Sequence, residues 1–251
     1  MSAGACGDAR ARRTLPAPAV GGGAGDRNGA VPAAASDRCA PRSGGRTPPG
    51  RWGDRRRRRI GLLGGSFNPA HAGHRHVAEK ALRALRLDEV WLLVSPGNPL
   101  KPSAGMAPFA RRLASACRIA DGRRIVASDW EARNGTRYTV DTLALLRRRF
   151  PRARFVLLLG ADNLAQLPRW RRWTEIARRT PIAVLPRPGW TWRALAGQAA
   201  RRLARHRRRP GALLAMAEDA GRHAPWAFVP AAERPESATA IRSAAASGWA
   251  A

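Results

Sequence analysis

Short apolar runs alternate with segments of helical periodicity from residue 60 onwards, and this alternation limits the possible fold more than any other feature of the 251-residue chain. The runs at 60–64, 90–94, 155–159 and 182–185 consist almost entirely of aliphatic and aromatic residues with glycine. Such runs are typical of strands that are buried on both faces of a parallel sheet. Strands that alternate with helices predict crossover connections, and therefore a mostly parallel, doubly wound α/β sheet in a single domain.

Helical periodicity is clearest after the first strand, where Val77, Ala81 and Leu85 recur at intervals of four. Other segments fill in a Rossmann-like pattern, in which ligands bind outside the carboxyl ends of the strands. We expect helices at 109–120, 139–150, 192–208, 212–220 and 239–246, further strands at 124–127 and 226–229, and a long loop at 95–107.

Residues 1–59 have a different composition from the rest of the chain. They contain 13 arginines against four acidic residues, 11 glycines and six prolines, and almost no large aliphatic residue. A segment of this kind cannot bury enough apolar surface to offset the entropy of ordering. We therefore expect a disordered extension at 1–59 and one folded domain at 60–251.

The net charge of +29 favours anionic partners. Arginine runs at Arg55–Arg59 and Arg207–Arg209 leave a basic nucleic-acid-binding protein as an alternative, although no RNA- or DNA-reading motif accompanies them, so no specific nucleic acid is expected. No apolar stretch approaches 18 residues, so we expect no membrane span. The three widely spaced cysteines fit a reducing compartment, which predicts a cytoplasmic protein.

The turn after the first strand is the most unusual segment of the chain. It carries Gly64 and Gly65, which let a ligand approach the backbone closely, and Ser66, a hydroxyl donor. His71 and His74 follow three residues apart at the start of a helix, so both point to one side. The free N–H groups and the positive dipole end of the helix attract an anion to that side. We therefore predict a phosphate-binding site here.

Residues 64–74 resemble the (H/T)xGH signature of nucleotidyltransferases, enzymes that transfer a nucleotidyl group from a nucleoside triphosphate to an acceptor. Later blocks follow in the order 95–102, 137–143, 160–164, 187–189 and 237–242. As an ordered set they are similar to the bacterial nicotinate-nucleotide adenylyltransferase family, over residues 60–246. The resemblance implies adenylyl transfer from ATP to nicotinate mononucleotide, with Mg²⁺ arriving on the ATP rather than in a metal site of the protein.

The resemblance also implies a role for each matching residue. The catalytic residues would be His71 and His74. ATP would be bound by Gly64, Gly65, Ser66, Phe67, Gly160, Asp162, Ser237, Thr239 and Arg242, and the acceptor by Asn98, Lys101, Thr139 and Trp170. Ala238 stands where the family usually has serine, which removes one hydroxyl from the phosphate site.

Alternatives remain open at this stage. A sister enzyme could use nicotinamide mononucleotide or pantetheine phosphate as acceptor, and Ala238 leaves open an inactive homologue. The sequence gives no indication of the oligomeric state.

Overall fold

The structure, a computed structural model, describes residues 53, 55, 57–97, 105–215 and 223–233. The chain divides into two units, Met1–Ala30 and Val31–Ala251, and every described residue belongs to the second unit. Six strands form one sheet: β1 Arg59–Gly65, β2 Glu89–Val94, β3 Ile125–Ser128, β4 Arg154–Gly160, β5 Ile182–Leu185 and β6 Trp226–Phe228. Their order is β3-β2-β1-β4-β5-β6, and each neighbouring pair is parallel.

Helices connect the strands, with these bounds: α1 Ala72–Ala84, α2 Phe109–Ile119, α3 Trp130–Asn134, α4 Thr139–Arg149, α5 Ala161–Gln166, α6 Trp173–Arg179, α7 Thr191–Leu195 and α8 Gln198–Arg202. Three-residue 3₁₀ turns occur at Leu167–Arg169, Ala204–His206 and Pro210–Ala212.

The sheet lies between two apolar layers. Successive strand residues point to opposite faces, so Leu62 belongs to one cluster of buried residues and Leu63 to the other. The first cluster includes Leu143 and Leu146 of α4, and the second includes Ala81 of α1. Both faces are therefore covered by helices, which confirms the doubly wound α/β fold predicted from the sequence.

The strand order places a switch point between β1 and β4. The chain winds outward from β1 to β2 and β3 on one side, and from β4 to β5 and β6 on the other. Leu63 pairs with Leu158, so the segments that follow β1 and β4 leave the sheet side by side. A crevice forms at such a point in doubly wound sheets, and ligands bind there.

Two helix predictions near the end of the chain are wrong. Residues 192–208 do not form one helix, because the chain turns at Gly197, where the Gly197 N–H bonds the Ala194 carbonyl. Contacts with β6 then compete with helix formation: the Trp226 indole donates to the Leu203 carbonyl, and the Arg208 N–H donates to the Trp226 carbonyl. Over 212–215, the described part of the predicted helix 212–220, the chain also forms no α-helix.

Two other expectations concern the chain as a whole. None of the helices within the described ranges is long and apolar enough to cross a membrane. Cys117 is disulfide-bonded, which the reducing compartment inferred from the widely spaced cysteines did not lead us to expect. The predicted helix 239–246 lies outside the described residues.

Candidate active site

A cleft of about 530 Å³ opens at the carboxyl edge of the sheet, beside the switch point. Segments that follow β1, β2, β4 and β5 line it, together with the start of α4. The cleft brings together all ten predicted site residues that the structure describes: Gly64, Gly65, Ser66, Phe67, His71, His74, Thr139, Gly160, Asp162 and Trp170. The other five, Asn98, Lys101, Ser237, Thr239 and Arg242, lie outside the described residues, as does Ala238.

The turn after β1 is held in shape by its own side chains. Phe67 adopts a left-handed backbone conformation, with φ at 48°, and its ring is buried. The ring lies 4.9 Å from the His74 ring, centroid to centroid, and under Gly65, where an added Cβ would come within 3.3 Å of it. The Asn68 amide donates to the Gly105 carbonyl at 2.9 Å and accepts from the Ala107 N–H at 3.1 Å.

His71 and His74 form a pair at the start of α1, with ring centroids 3.9 Å apart. The backbone N–H of His71 donates to Nδ1 of His74 at 3.2 Å, so Nδ1 must be the acceptor. The proton of a neutral His74 ring therefore sits on Nε2, which leaves an N–H donor on the other side of the ring. His71 is buried and His74 is half-buried, and both line the cleft.

Gly160 and Asp162 face this turn from β4. The strand ends at Gly160 and α5 begins at Ala161, with no loop between them, so Asp162 stands at the edge of the sheet. A Cβ at position 160 would collide with Oδ1 of Asp162. The absence of a side chain at Gly160 therefore leaves space for the Asp162 carboxylate in this position.

The cleft is also lined by Thr139 at the start of α4, the exposed Arg137, and Trp170. Trp170 is half-buried, so part of its indole is available to a flat ligand. Trp173 packs against the core, as Trp170 does in part, but it does not line the cleft. Arg171 lies over the Tyr138 ring, with its guanidinium carbon 4.7 Å from the ring centroid.

Glu131 of α3 also lines the cleft, and the sequence analysis did not identify it. Burial raises the pKa of its carboxyl to about 7, although a hydrogen bond from Thr142 opposes the shift. Thr142 Oγ1 lies 2.9 Å from the Glu131 carboxylate and 3.1 Å from the Thr136 hydroxyl. Thr142 can donate a hydrogen bond to the ionised carboxylate or accept one from the neutral acid, so the network tolerates both states.

Sequence reasoning also did not assign two other residues to the site. His76, on the surface of α1, lines the cleft and lies 3.3 Å from the Ala232 carbonyl. Ser115 of α2 accepts from the Ala70 N–H at 2.9 Å and so supports the turn from behind. Neither residue belongs to a recognisable motif, and only the packing of distant segments reveals them.

The donor set of the cleft bears on metal binding. No group of three or more histidine, cysteine or acidic side chains that could hold a metal ion occurs within the described ranges. The carboxylate of Asp162 and the phosphates of a bound nucleotide are oxygen donors, the kind that Mg²⁺ prefers. The residues present therefore fit a divalent ion held mainly by phosphate and water.

A parallel sheet with a glycine turn and a histidine pair at its switch point defines a nucleotide-binding α/β protein. Comparison with known proteins agrees with this class. The model of the cytidylyltransferase-like family matches residues 62–244. A Gluconobacter oxydans protein named "probable nicotinate-nucleotide adenylyltransferase" is 62% identical over 73% of this chain and 93% of its own length. A Gluconacetobacter diazotrophicus protein of the same name is 59% identical over 77% of this chain and 89% of its own.

A solved structure supports the fold. Nicotinic acid mononucleotide adenylyltransferase of Plasmodium falciparum, complexed with NaAD, matches with a TM-score of 0.54 at 16% identity, over 74% of this chain and 83% of that one. The chain therefore belongs to the cytidylyltransferase-like family, and within it to the nicotinate-nucleotide adenylyltransferases.

Proposed function

We propose that this protein transfers the adenylyl group of ATP to nicotinate mononucleotide, giving deamido-NAD and pyrophosphate. The observation that carries this proposal is the convergence of ten predicted site residues, from four separate segments of the chain, on one cleft at the switch point. High identity to relatives that bear the name of this enzyme supports the choice of reaction.

The reaction needs positioning and charge stabilisation more than a covalent nucleophile. A phosphate oxygen of nicotinate mononucleotide forms a bond to the α-phosphorus of ATP, and the bond from that phosphorus to the bridging oxygen of pyrophosphate breaks. His74 Nε2–H donates to the phosphate oxygens as negative charge develops on the leaving group. The buried His71 holds the His74 ring in place through their close contact and through its own backbone N–H.

ATP occupies the side of the cleft formed by β1 and β4. Gly64, Gly65 and Ser66 approach the phosphates through their backbone, and the buried ring of Phe67 supports the turn. Gly160 and Asp162 contact the adenosine side of the nucleotide. Ser237, Thr239 and Arg242, which follow β6 in the sequence, would complete the phosphate site.

The acceptor occupies the other end of the cleft. Trp170 stacks on the pyridine ring, and Thr139 binds from the start of α4. Asn98 and Lys101, which follow β2 in the sequence, would bind the acceptor. The ion that accompanies ATP is Mg²⁺, which neutralises part of the phosphate charge when bound. We also propose a cytoplasmic location.

An acceptor panel tests the proposal. Purified protein is incubated with ATP and Mg²⁺ and with nicotinate mononucleotide, nicotinamide mononucleotide or pantetheine phosphate, and pyrophosphate release is measured. The expected result is the highest kcat/KM with nicotinate mononucleotide. Turnover with pantetheine phosphate alone would reject the acceptor, and ATP binding without turnover on any acceptor would favour an inactive homologue. Sequence-selective RNA binding without turnover would favour the nucleic-acid alternative.

A further inference from the structure

Arg112 of α2 is buried behind the cleft, with 2% of its surface exposed. Its guanidinium donates to four backbone carbonyls. Nε donates to Ala107 at 3.0 Å, one terminal nitrogen donates to Ser66 at 2.8 Å and to Ser95 at 2.6 Å, and the other donates to Pro96 at 3.1 Å.

These carbonyls come from segments that are far apart along the chain. Ser66 belongs to the turn after β1, Ser95 and Pro96 follow β2, and Ala107 precedes α2. Ser66 and Ser95 both line the cleft. The Ser95 N–H also donates to the Gly65 carbonyl at 2.9 Å, which is the last backbone bond between β1 and β2. Beyond that bond, the two strand ends are connected by the hydrogen bonds that Arg112 donates to Ser66, Ser95 and Pro96.

A charged side chain in this position is unusual, because buried arginines normally pair with carboxylates. Within the described ranges, no carboxylate lies within ion-pair distance of Arg112. Burial alone lowers the pKa of the guanidinium. The charge is met by carbonyl dipoles and by the Phe109 ring, whose centroid lies 5.4 Å from the guanidinium carbon. Because no carboxylate within the described ranges cancels it, its field extends towards the glycine turn, where an anionic ligand would be attracted.

We propose that Arg112 is a positioning residue for ATP: its guanidinium fork joins the turn after β1 to the segment after β2 and so holds the phosphate-binding turn in its binding shape. This proposal rests on the proposed use of ATP. The fork shape is essential to it, because the planar guanidinium offers five N–H groups in fixed directions, whereas a lysine ammonium offers three from a single atom.

Titration with ATP in the absence of acceptor tests the proposal on the full-length protein. Arg112→Met and Arg112→Lys are compared with Arg111→Met, a change to the neighbouring exposed arginine on the same helix. We expect the Kd for ATP to rise at least tenfold in both Arg112 variants and to stay within twofold in Arg111→Met. Wild-type ATP affinity in Arg112→Lys would overturn the fork, and wild-type affinity in Arg112→Met would overturn the role altogether.

Chemical rescue separates positioning from general stability. Arg112→Ala leaves a space that a free guanidinium ion can enter, so millimolar guanidinium should restore at least a third of the lost ATP affinity, while methylammonium should not. Failure of guanidinium to restore any affinity in a variant that keeps the wild-type far-UV circular dichroism would overturn the proposal. If Arg112→Met does not fold, the ATP affinity of Arg112→Lys and the guanidinium rescue of Arg112→Ala still test the proposal.

The same measurements distinguish a failure of the Arg112 proposal from a failure of the proposed reaction. If wild-type protein binds ATP but forms no deamido-NAD, the acceptor assignment fails while the comparison of ATP affinities stands. If wild-type protein turns over and the Arg112 variants bind ATP normally, only the role of Arg112 fails.

Discussion

His71 and His74 share a motif, but their environments differ. His71 is 5% exposed and precedes α1, whereas His74 is half-buried at the wall of the cleft. The hydrogen bond from the His71 N–H to Nδ1 of His74 makes Nε2 the donor of the neutral His74 ring. Direct contact with the phosphates is therefore expected of His74, and support of its orientation is expected of His71.

Replacement of His74 by alanine tests the donor role. Loss of one well-placed donor to a developing charge typically costs about 3–4 kcal/mol of barrier, so we expect kcat to fall by roughly 10²–10³-fold. The melting temperature should change little, because His74 is only half-buried. His206→Ala is a matched control, since His206 stacks on His223 away from the cleft. A His74→Ala enzyme with unchanged turnover would reject the assignment.

The Glu131 carboxyl gives a second prediction, on stability against pH. Its pKa is raised from 4.5 to about 7 in the folded protein, so the folded state binds more protons than the unfolded state between these values. Stability therefore falls as pH rises from about 4.5 through 7. Glu131→Gln removes the charge and this dependence, so the variant should match the wild type near pH 4.5 and exceed it at pH 8.5.

The size of that difference follows from the pKa shift. The full shift corresponds to about 3 kcal/mol, and partial solvent access to Glu131 lowers the expected value to about 1–3 kcal/mol. Urea unfolding at pH 4.5, 7 and 8.5 measures it, with the exposed Glu79→Gln on α1 as control. Parallel curves for wild type and Glu131→Gln across this range would contradict the assignment.

At the scale of elements, the geometry of the site depends on a strand that is followed by a helix with no loop between them. β4 passes into α5 with no loop, which places Asp162 at the sheet edge beside the turn from β1. On the other side of that turn, α2 supplies Ser115 and Arg112, which bond the turn from behind. The turn after β1 thus lies between α5, which carries Asp162 at the cleft, and α2, which supports the turn from behind.

Gly160→Ala tests the junction of β4 and α5. The backbone of Gly160, with φ at −68°, suits any residue, so alanine adds no backbone strain. Its Cβ would nevertheless collide with Oδ1 of Asp162 and displace that carboxylate. We expect the KM for ATP to rise about tenfold, as for the loss of roughly 1.4 kcal/mol of binding.

A control for this substitution is Gly211→Ala, where an added Cβ would meet no atom within 4 Å. That variant should keep the wild-type KM. Equal KM values for Gly160→Ala, Gly211→Ala and wild type would show that the position of Asp162 does not affect ATP binding.

At the scale of the whole molecule, the described cleft is built entirely from residues between Leu62 and Ala232. The arginine-rich segment before β1 contributes none of its described lining. We therefore expect deletion of residues 1–55 to leave kcat/KM within about twofold of the full-length value, measured by pyrophosphate release.

The deletion also removes Cys6 and Cys39, and Cys117 is disulfide-bonded in the full chain. Both proteins are therefore assayed with and without a reducing agent. A large loss of activity that persists under reducing conditions would show that the N-terminal segment takes part in function. A loss confined to non-reducing conditions would point to the disulfide instead.

Much of the fold could be predicted because it depends on local patterns. The apolar run at 155–159 and the helix from Thr139 could be recognised without knowledge of any distant residue. The prediction of one helix at 192–208 was wrong for the opposite reason. Helical spacing is present there, but hydrogen bonds to Trp226, which is distant in sequence, stabilise two short helices and a 3₁₀ turn instead. Local periodicity carries no information about such competition.

The sequence by itself determined the alternation of strands and helices over most of the folded chain, because local periodicity decides which side chains share a face. The resemblance of its motifs to a known family implied the ten site residues that meet in the described cleft. Only the tertiary structure decided that Glu131 is half-buried with a raised pKa and that Arg112 joins two strand ends. Burial and carbonyl contacts arise between segments that are distant in sequence, so no local pattern in the chain specifies them.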